Sequence, residues 1–106
     1  MAKKCIIVQT STDDKEILEK ITNVVLDKRL AACINIIPSV QSIFRWEGKI
    51  SNLEEYILQI KTLDKNYTKI EKVILELHNY QTPEIISVEI KNIEKNFHEW
   101  LNNETQ

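Results

Sequence analysis

His78 stands six residues ahead of Glu84, and Cys33 heads an apolar run, in a 106-residue chain with two histidines and two cysteines. An imidazole can ligate Cu(II) or Zn(II), a thiolate suits softer metals, and Glu84 can join His78 from one loop. Protein metal sites want three or four ligands, so further donors must come from elsewhere in the fold or from a neighbouring subunit. Each residue also has an ordinary use. His78 falls where a helix should end, and an imidazole there answers the helix dipole and its last carbonyls. Cys33 follows Ala31 and Ala32 into a strand, which suits core packing. His98, near Glu94 and Glu99, reads as part of a solvated helix face. No Ser or Cys is set beside a His and an acid, no HExxH occurs, and a single glycine, Gly48, cannot build a phosphate loop. The chemistry on offer is binding rather than catalysis.

The elements that must position these groups follow from periodicity. Residues 4–10, with Cys5, Ile6, Ile7 and Val8, read as a strand. Asp13 with Glu16 three residues later resembles a helix-start capping pair. Ile17, Leu18, Ile21, Val24 and Val25 then make one apolar helix face, and this helix should end near Leu30. From Cys33 to Glu47 the period is two, with Ile34, Ile36, Pro38, Val40, Ser42, Phe44 and Trp46 on one face. Pro38 lacks an N–H and marks a bulge, a bend or an unpaired edge point. Gly48 closes a hairpin turn, since glycine takes a positive φ without strain. A second strand runs from Ile50 to about Leu63 with Ile50, Tyr56, Leu58 and Ile60 on one face. Asp64 can cap the next helix, carried by Tyr67, Ile70, Val73, Ile74 and Leu77 to about Asn79. Residues 80–83 form a loop, residues 84–90 alternate as a strand, and Ile93, Phe97, Trp100 and Leu101 predict a short final helix. The order β-α-β-β-α-β is the ferredoxin-like split βαβ arrangement: α+β, one domain over residues 1–106, an antiparallel sheet with helices on one face, a long central hairpin and a C-terminal helix.

Composition narrows the partners. Hydrophobic residues at 42% and charged residues at 28% are an ordinary soluble balance. A net charge of −2, from 14 Lys+Arg against 16 Asp+Glu, provides no basic stripe for nucleic acid or an anionic membrane. No apolar run approaches the ~20 residues of a membrane span, so no membrane insertion is expected. The apolar stretch after the first lysines covers only Cys5 to Val8, short of the about 7–15 residues of a signal peptide, and the expected location is cytoplasmic. Reduced, buried thiols are expected for Cys5 and Cys33 there.

The hairpin raises its own problem. Two strands of about 13 residues at roughly 3.3 Å each reach about 43 Å, whereas a domain of this size has a radius of gyration of about 13 Å. Its outer half must overhang, and it carries Phe44 and Trp46, with Tyr56 on the partner strand. Each aromatic buries about 150–250 Å² when covered, worth several kcal/mol in total at about 25 cal/mol per Å². A wet, unpaired edge of this kind invites aggregation. Identical copies with closed symmetry resolve it, so an obligate homo-oligomer is expected; the competing reading folds the hairpin back at Pro38.

Four stretches carry a resemblance: "RLAACINIIPSVQSIFRWEGKI" at 29–50, "LQIKT" at 58–62, "LHNYQTPEI" at 77–85 and "FHEWL" at 97–101. In order and over nearly the whole chain they resemble the CutA family of divalent-ion tolerance proteins. The resemblance implies a homotrimer of ferredoxin-like subunits similar to PII signalling proteins. It also implies tolerance to copper and other divalent cations, with Cu(II) or another divalent ion as the bound species and no enzymatic reaction. Some bacterial members pair a Cys late in the first strand with two adjacent His; the matching positions here are Gln9, Leu77 and His78, so only His78 remains. The frequent Pro after that His is Asn79. The metal candidates are therefore His78, Cys33 and Glu84. The alternative is a PII-like signalling or scaffold trimer that binds a small anion or a protein partner between subunits. Its ligand-binding candidates are Lys49, Lys61, Tyr80, Trp46 and Glu47. Glu47–Lys49 and Lys61–Glu84 ion pairs across subunits, and Trp46 as interface core, are the plainer uses of those residues.

Overall fold

The computed structural model of the chain describes residues 4–106. The β-branched run near the start becomes strand β1, Cys5–Thr12, followed by helix α1, Lys15–Asp27. Strands β2, Cys33–Trp46, and β3, Lys49–Leu63, form the long hairpin. A 3-10 turn, Asp64–Asn66, leads into helix α2, Tyr67–Leu77; strand β4, Ile86–Glu89, and helix α3, Lys95–Glu104, complete the chain. The four strands make one antiparallel sheet in the order β2-β3-β1-β4, which is the expected α+β architecture.

Several boundaries move for local reasons. Asp14, not Asp13, caps α1: its carboxylate accepts the amides of Glu16 at 2.9 Å and Ile17 at 3.3 Å. That helix stops at Asp27 rather than near Leu30, because Arg29 takes a left-handed φ of 55°. Asp64 opens the 3-10 turn instead of capping α2, and α2 has no side-chain cap. Its N-cap residue, Asn66, has committed its amide to the carbonyls of Leu30 and Gln106. Strand β4 is shorter than residues 84–90, and Glu84 stays in the preceding loop.

Strand alternation divides the core in two. Ile6, Val8, Leu58 and Ile60 face α1 and α2, meeting Leu18, Ile21, Val25, Ile70, Val73 and Ile74. On the opposite face Cys5, paired with Leu63 across the sheet, packs with Leu63 and Leu101 of α3. The helices therefore flank both faces, which corrects the expectation of one. Leu101 is the reason: it is fully buried against odd-numbered strand residues, the face that α1 and α2 leave open. No helix among the described residues is long and apolar enough to cross a membrane.

The second correction concerns β2. Ile37 stands opposite Ile57 and Val40 opposite Glu55, so β2 carries one residue more than β3 at Pro38–Ser39, where Ser39 has φ 58°. A one-residue bulge reverses which side chains face which way. Ile34 and Ile36 thus lie on the α1/α2 side, while Val40, Phe44 and Trp46 lie on the other, and the even-numbered face is not continuous. Tyr56 leaves the overhang altogether and packs on the main core. Because β1 pairs with β3 only from Tyr56 onward, the distal hairpin projects beyond the sheet, and the molecule measures 47 × 26 × 22 Å.

Candidate binding cleft

The projecting hairpin and the loop after α2 enclose an open cleft of about 860 Å³. From the hairpin it is lined by Ser42, Phe44, Trp46, Leu53 and Glu55, and from the loop by Tyr80, Gln81, Thr82, Pro83 and Glu84. The bulge places Phe44 and Trp46 here, by turning them to the face that carries Glu55.

A dense set of hydrogen bonds fixes the loop to the end of β1. The Tyr80 amide can only donate, so it meets an unprotonated Nδ1 of His78 at 3.0 Å, and Nε2–H of the same ring donates to the Ser11 carbonyl at 2.8 Å. Asn79 accepts from the Thr12 hydroxyl at 2.7 Å and donates to Asp13 at 2.9 Å. The Tyr80 ring leans on His78 with centroids 4.8 Å apart. Its hydroxyl donates to Glu55 Oε2 at 2.7 Å and accepts the Asp13 amide at 2.9 Å. Burial first, and then the Glu55 carboxylate it faces, push the Tyr80 phenol far above the ordinary tyrosine range.

The two carboxylates of the cleft are held by neutral donors. Gln59 donates to Gln9 at 3.2 Å and Gln9 to Glu84 Oε2 at 3.0 Å, so a side-chain relay across β3 and β1 presents Glu84. Glu55 is only 5% exposed, yet among the described residues neither it nor Glu84 meets a cationic side chain.

The structure brings Trp46, Tyr80 and Glu84 together and leaves the other candidates outside the lining. Both ring nitrogens of His78 are engaged within the fold. Cys33 is a half-buried thiol at the head of β2, opposite Lys61, with Asn35 Oδ1 at 3.9 Å. Lys61 lies across the sheet with its ammonium 5.9 Å from the Phe97 ring centroid, a cation–π contact under α3. Glu47 and Lys49 sit at the exposed hairpin tip. Among the described residues no three His, Cys, Asp or Glu side chains gather as a metal-ligand group, so Cys33, His78 and Glu84 do not form one within a protomer. Glu55 was not a sequence candidate. Its signal was strand parity, since it has the opposite parity to Tyr56 and Leu58 and so points away from the core.

Comparison with known proteins settles the lineage. A family model described as CutA1 divalent ion tolerance protein matches residues 6–104. This chain belongs to the CutA1 family. The CutA divalent-cation tolerance protein of Thermus thermophilus is 31% identical over 99 residues, covering 93% of this chain and 96% of that one. The chloroplastic CutA of Arabidopsis thaliana is 33% identical over 95% of this chain, which spans about half, 56%, of that relative. Among solved CutA1 structures, that from Oryza sativa superposes with a TM-score of 0.93 at 31% identity, covering 99% of this chain and 96% of the other. The CutA1 structure from Pyrococcus horikoshii gives 0.88 at 33% identity, over 95% and 98%. CutA1 proteins are named for tolerance to divalent ions and not for a reaction.

Proposed function

We propose that this CutA1 chain works as a homotrimer that binds Cu(II) or another divalent cation and catalyses nothing. The overhanging hairpin carries the trimer reading. Phe44 and Trp46 remain 39% and 43% exposed on one of its faces, and Ile43 and Ile50 remain 66% and 62% exposed on the other. An isolated protomer leaves these side chains and two strand edges in water; closed packing of three copies covers them. Divalent-cation capture is supported by the family name and by the sign of the cleft, whose charged lining residues are both glutamates. Glu84 is the protomer's own ligand in this reading, with Cys33 or His78 recruited only where a neighbouring subunit supplies the missing donors. A PII-like anion site would need Lys49 or Lys61, and neither lines the cleft.

Sedimentation velocity at micromolar concentration tests the assembly: wild type should run as a trimer and Trp46→Glu as a monomer. A folded wild-type monomer would defeat the reading. Calorimetric titration of Cu(II) and Zn(II) tests the capture: Glu84→Gln should lose most of the heat. Equal binding in wild type, Glu84→Gln, His78→Ala and Cys33→Ser would remove all three residues from it.

A further inference from the structure

Cys5, at the head of β1, is buried on the face that α3 covers. It packs with Leu63, its partner across the ladder, and with Leu101 of α3, while Ala32, Ile90 and Ile93 lie around them. The larger core joins the sheet to α1 and α2 instead. Opening the second face therefore breaks one small cluster and leaves the main one intact.

Four further observations set α3 apart. It adds no strand to the sheet and carries its own N-terminal cap, Glu94 to the Phe97 amide, so its departure leaves the ladder whole. Leu101 is its one apolar side chain fully removed from water; the Phe97 and Trp100 rings stay 39% and 43% exposed and gain only part of what full burial gives. Its far end is held by side-chain clasps, Arg29 on the carbonyls of Asn103 and Glu104 and Asn66 on that of Gln106. Its docked position also buries two oxygens, Asn102 Oδ1 and Thr105 Oγ1, that find no partner among the described residues. Release returns both to water, which removes that cost. Folds open in contiguous units whose free energies run from near zero to the global value, and a helix with one deep anchor and orphaned polar atoms belongs at the low end.

We infer that α3 is a detachable strap: it leaves the sheet as one unit while α1, α2 and the four strands stay folded, and so gates access to the Cys5 thiol. While α3 is docked, burial pushes that thiol above the ordinary cysteine range, which keeps it protonated and unreactive. The strap and its clasps lie within one protomer, so the inference rests on neither the metal reading nor the trimer reading.

Dithiobis(nitrobenzoate) labelling of Cys33→Ser, which leaves Cys5 as the single thiol, tests it. The Cys5 thiolate attacks the reagent's disulfide, and the nitrothiophenolate that leaves is read by absorbance. Without urea, labelling should be at least about a hundredfold slower than in the unfolded chain. Its urea dependence should have less than about a third of the slope of global unfolding until the transition approaches. Native-state hydrogen exchange should report the same opening at the α3 amides and stronger protection in β1 and β3. Leu101→Ala should speed the shallow labelling about tenfold or more. Arg29→Ala, which lies outside the Cys5 cluster, should speed it about threefold, and Thr105→Val should slow it several-fold. Should Leu101→Ala fail to fold by circular dichroism, the other two variants decide. The inference falls if Cys5 labels with the full global slope at every urea concentration, or as fast as in the unfolded chain. It falls if the α3 amides are as protected as those of β1 and β3, or if Arg29→Ala and Thr105→Val label like their parent. It falls equally if labelling slows as protein concentration rises, for then release of a neighbouring copy, and not the strap, uncovers Cys5.

Discussion

The Nε2–H of His78 donates to the backbone carbonyl of Ser11 across 2.8 Å, and this bond ties the start of the cleft loop to the end of β1. The opposite ring nitrogen takes the Tyr80 amide, so one imidazole bonds two backbone groups at once. Removing the ring strands a donor and an acceptor in a half-buried setting, at about 1–3 kcal/mol. His78→Ala is therefore expected to lower unfolding stability by about 2 kcal/mol, seen as a shifted urea midpoint with an unchanged slope. Limited proteolysis should cut faster within residues 79–84. A stability change below about 0.5 kcal/mol would show that the ring is not a fastener.

Much of this was legible beforehand, and the failures have a common form. Apolar spacing located the strands and helices, because burial against a sheet imposes it. Parity along Cys33–Trp46 was misread because one inserted residue at Pro38–Ser39 reverses every later side chain, while the sequence on either side still alternates. Pro38 announced an irregularity but not its size. The placement of α3 on the second face was hidden for another reason: a short amphipathic helix has an apolar stripe whichever face of the sheet it covers. The Tyr80–Glu55 bond joins residues 25 apart through a loop without periodicity, so only the folded chain shows it. Deleting Ser39 should restore the parity and turn Phe44 and Trp46 away from the cleft. If the proposed trimer holds for wild type, the expected readout is its loss in sedimentation with the far-UV spectrum retained; an association state equal to wild type would show that the phase reversal is immaterial.

Glu47 and Gly48 make the two-residue turn with φ of 49° and 77°, the primed geometry that matches hairpin twist. A β-carbon on Gly48 would meet nothing within 4 Å, so the glycine serves backbone conformation alone. Gly48→Ala is expected to destabilise by about 1 kcal/mol, the ordinary penalty for a left-handed non-glycine residue. Glu47→Asn should act in the opposite direction, by about 0.5 kcal/mol, because asparagine tolerates that region better than glutamate. Chemical denaturation of both variants checks the pair. Equal and opposite signs to these would mean that contacts at the tip outweigh torsion.

Glu94 caps α3, its carboxylate accepting the Phe97 amide at 2.8 Å, and backbone donors at Phe97 and Asn96 hold its pKa below the usual glutamate value. The folded value is the lower one, so the stabilisation is complete above about pH 4.3, the unperturbed value, and disappears as pH falls through the folded value. Protection factors of the α3 amides, referred to the intrinsic exchange rate at each pH, should therefore fall on acidification through and below that point, ahead of those in β1 and β3. Glu94→Gln should remove this pH dependence. Protection that falls equally across the sheet would assign the acid sensitivity elsewhere.

Asn66, 2% exposed, donates its side-chain amide to the carbonyls of Leu30 at 3.1 Å and Gln106 at 2.9 Å. The Thr62 hydroxyl also donates to Leu30, while the Arg29 guanidinium reaches the carbonyls of Asn103 at 2.8 Å and Glu104 at 3.3 Å. The Gln106 amide returns a bond to Arg29 at 2.7 Å. The segment after α1, the turn before α2 and the end of α3 therefore meet at one buried amide. Asn66→Leu preserves volume but leaves the Gln106 carbonyl unpaired and weakens that of Leu30, a loss of about 2 kcal/mol. Arg29→Ala acts on more exposed carbonyls, and about 0.5–1 kcal/mol is expected. Because both side chains hold the residues around Gln106, the double variant should lose less than the two single losses combined, with a coupling of at least about 0.5 kcal/mol in a urea-denaturation cycle. Strict additivity would mean that the two clasps act on independent parts of the fold.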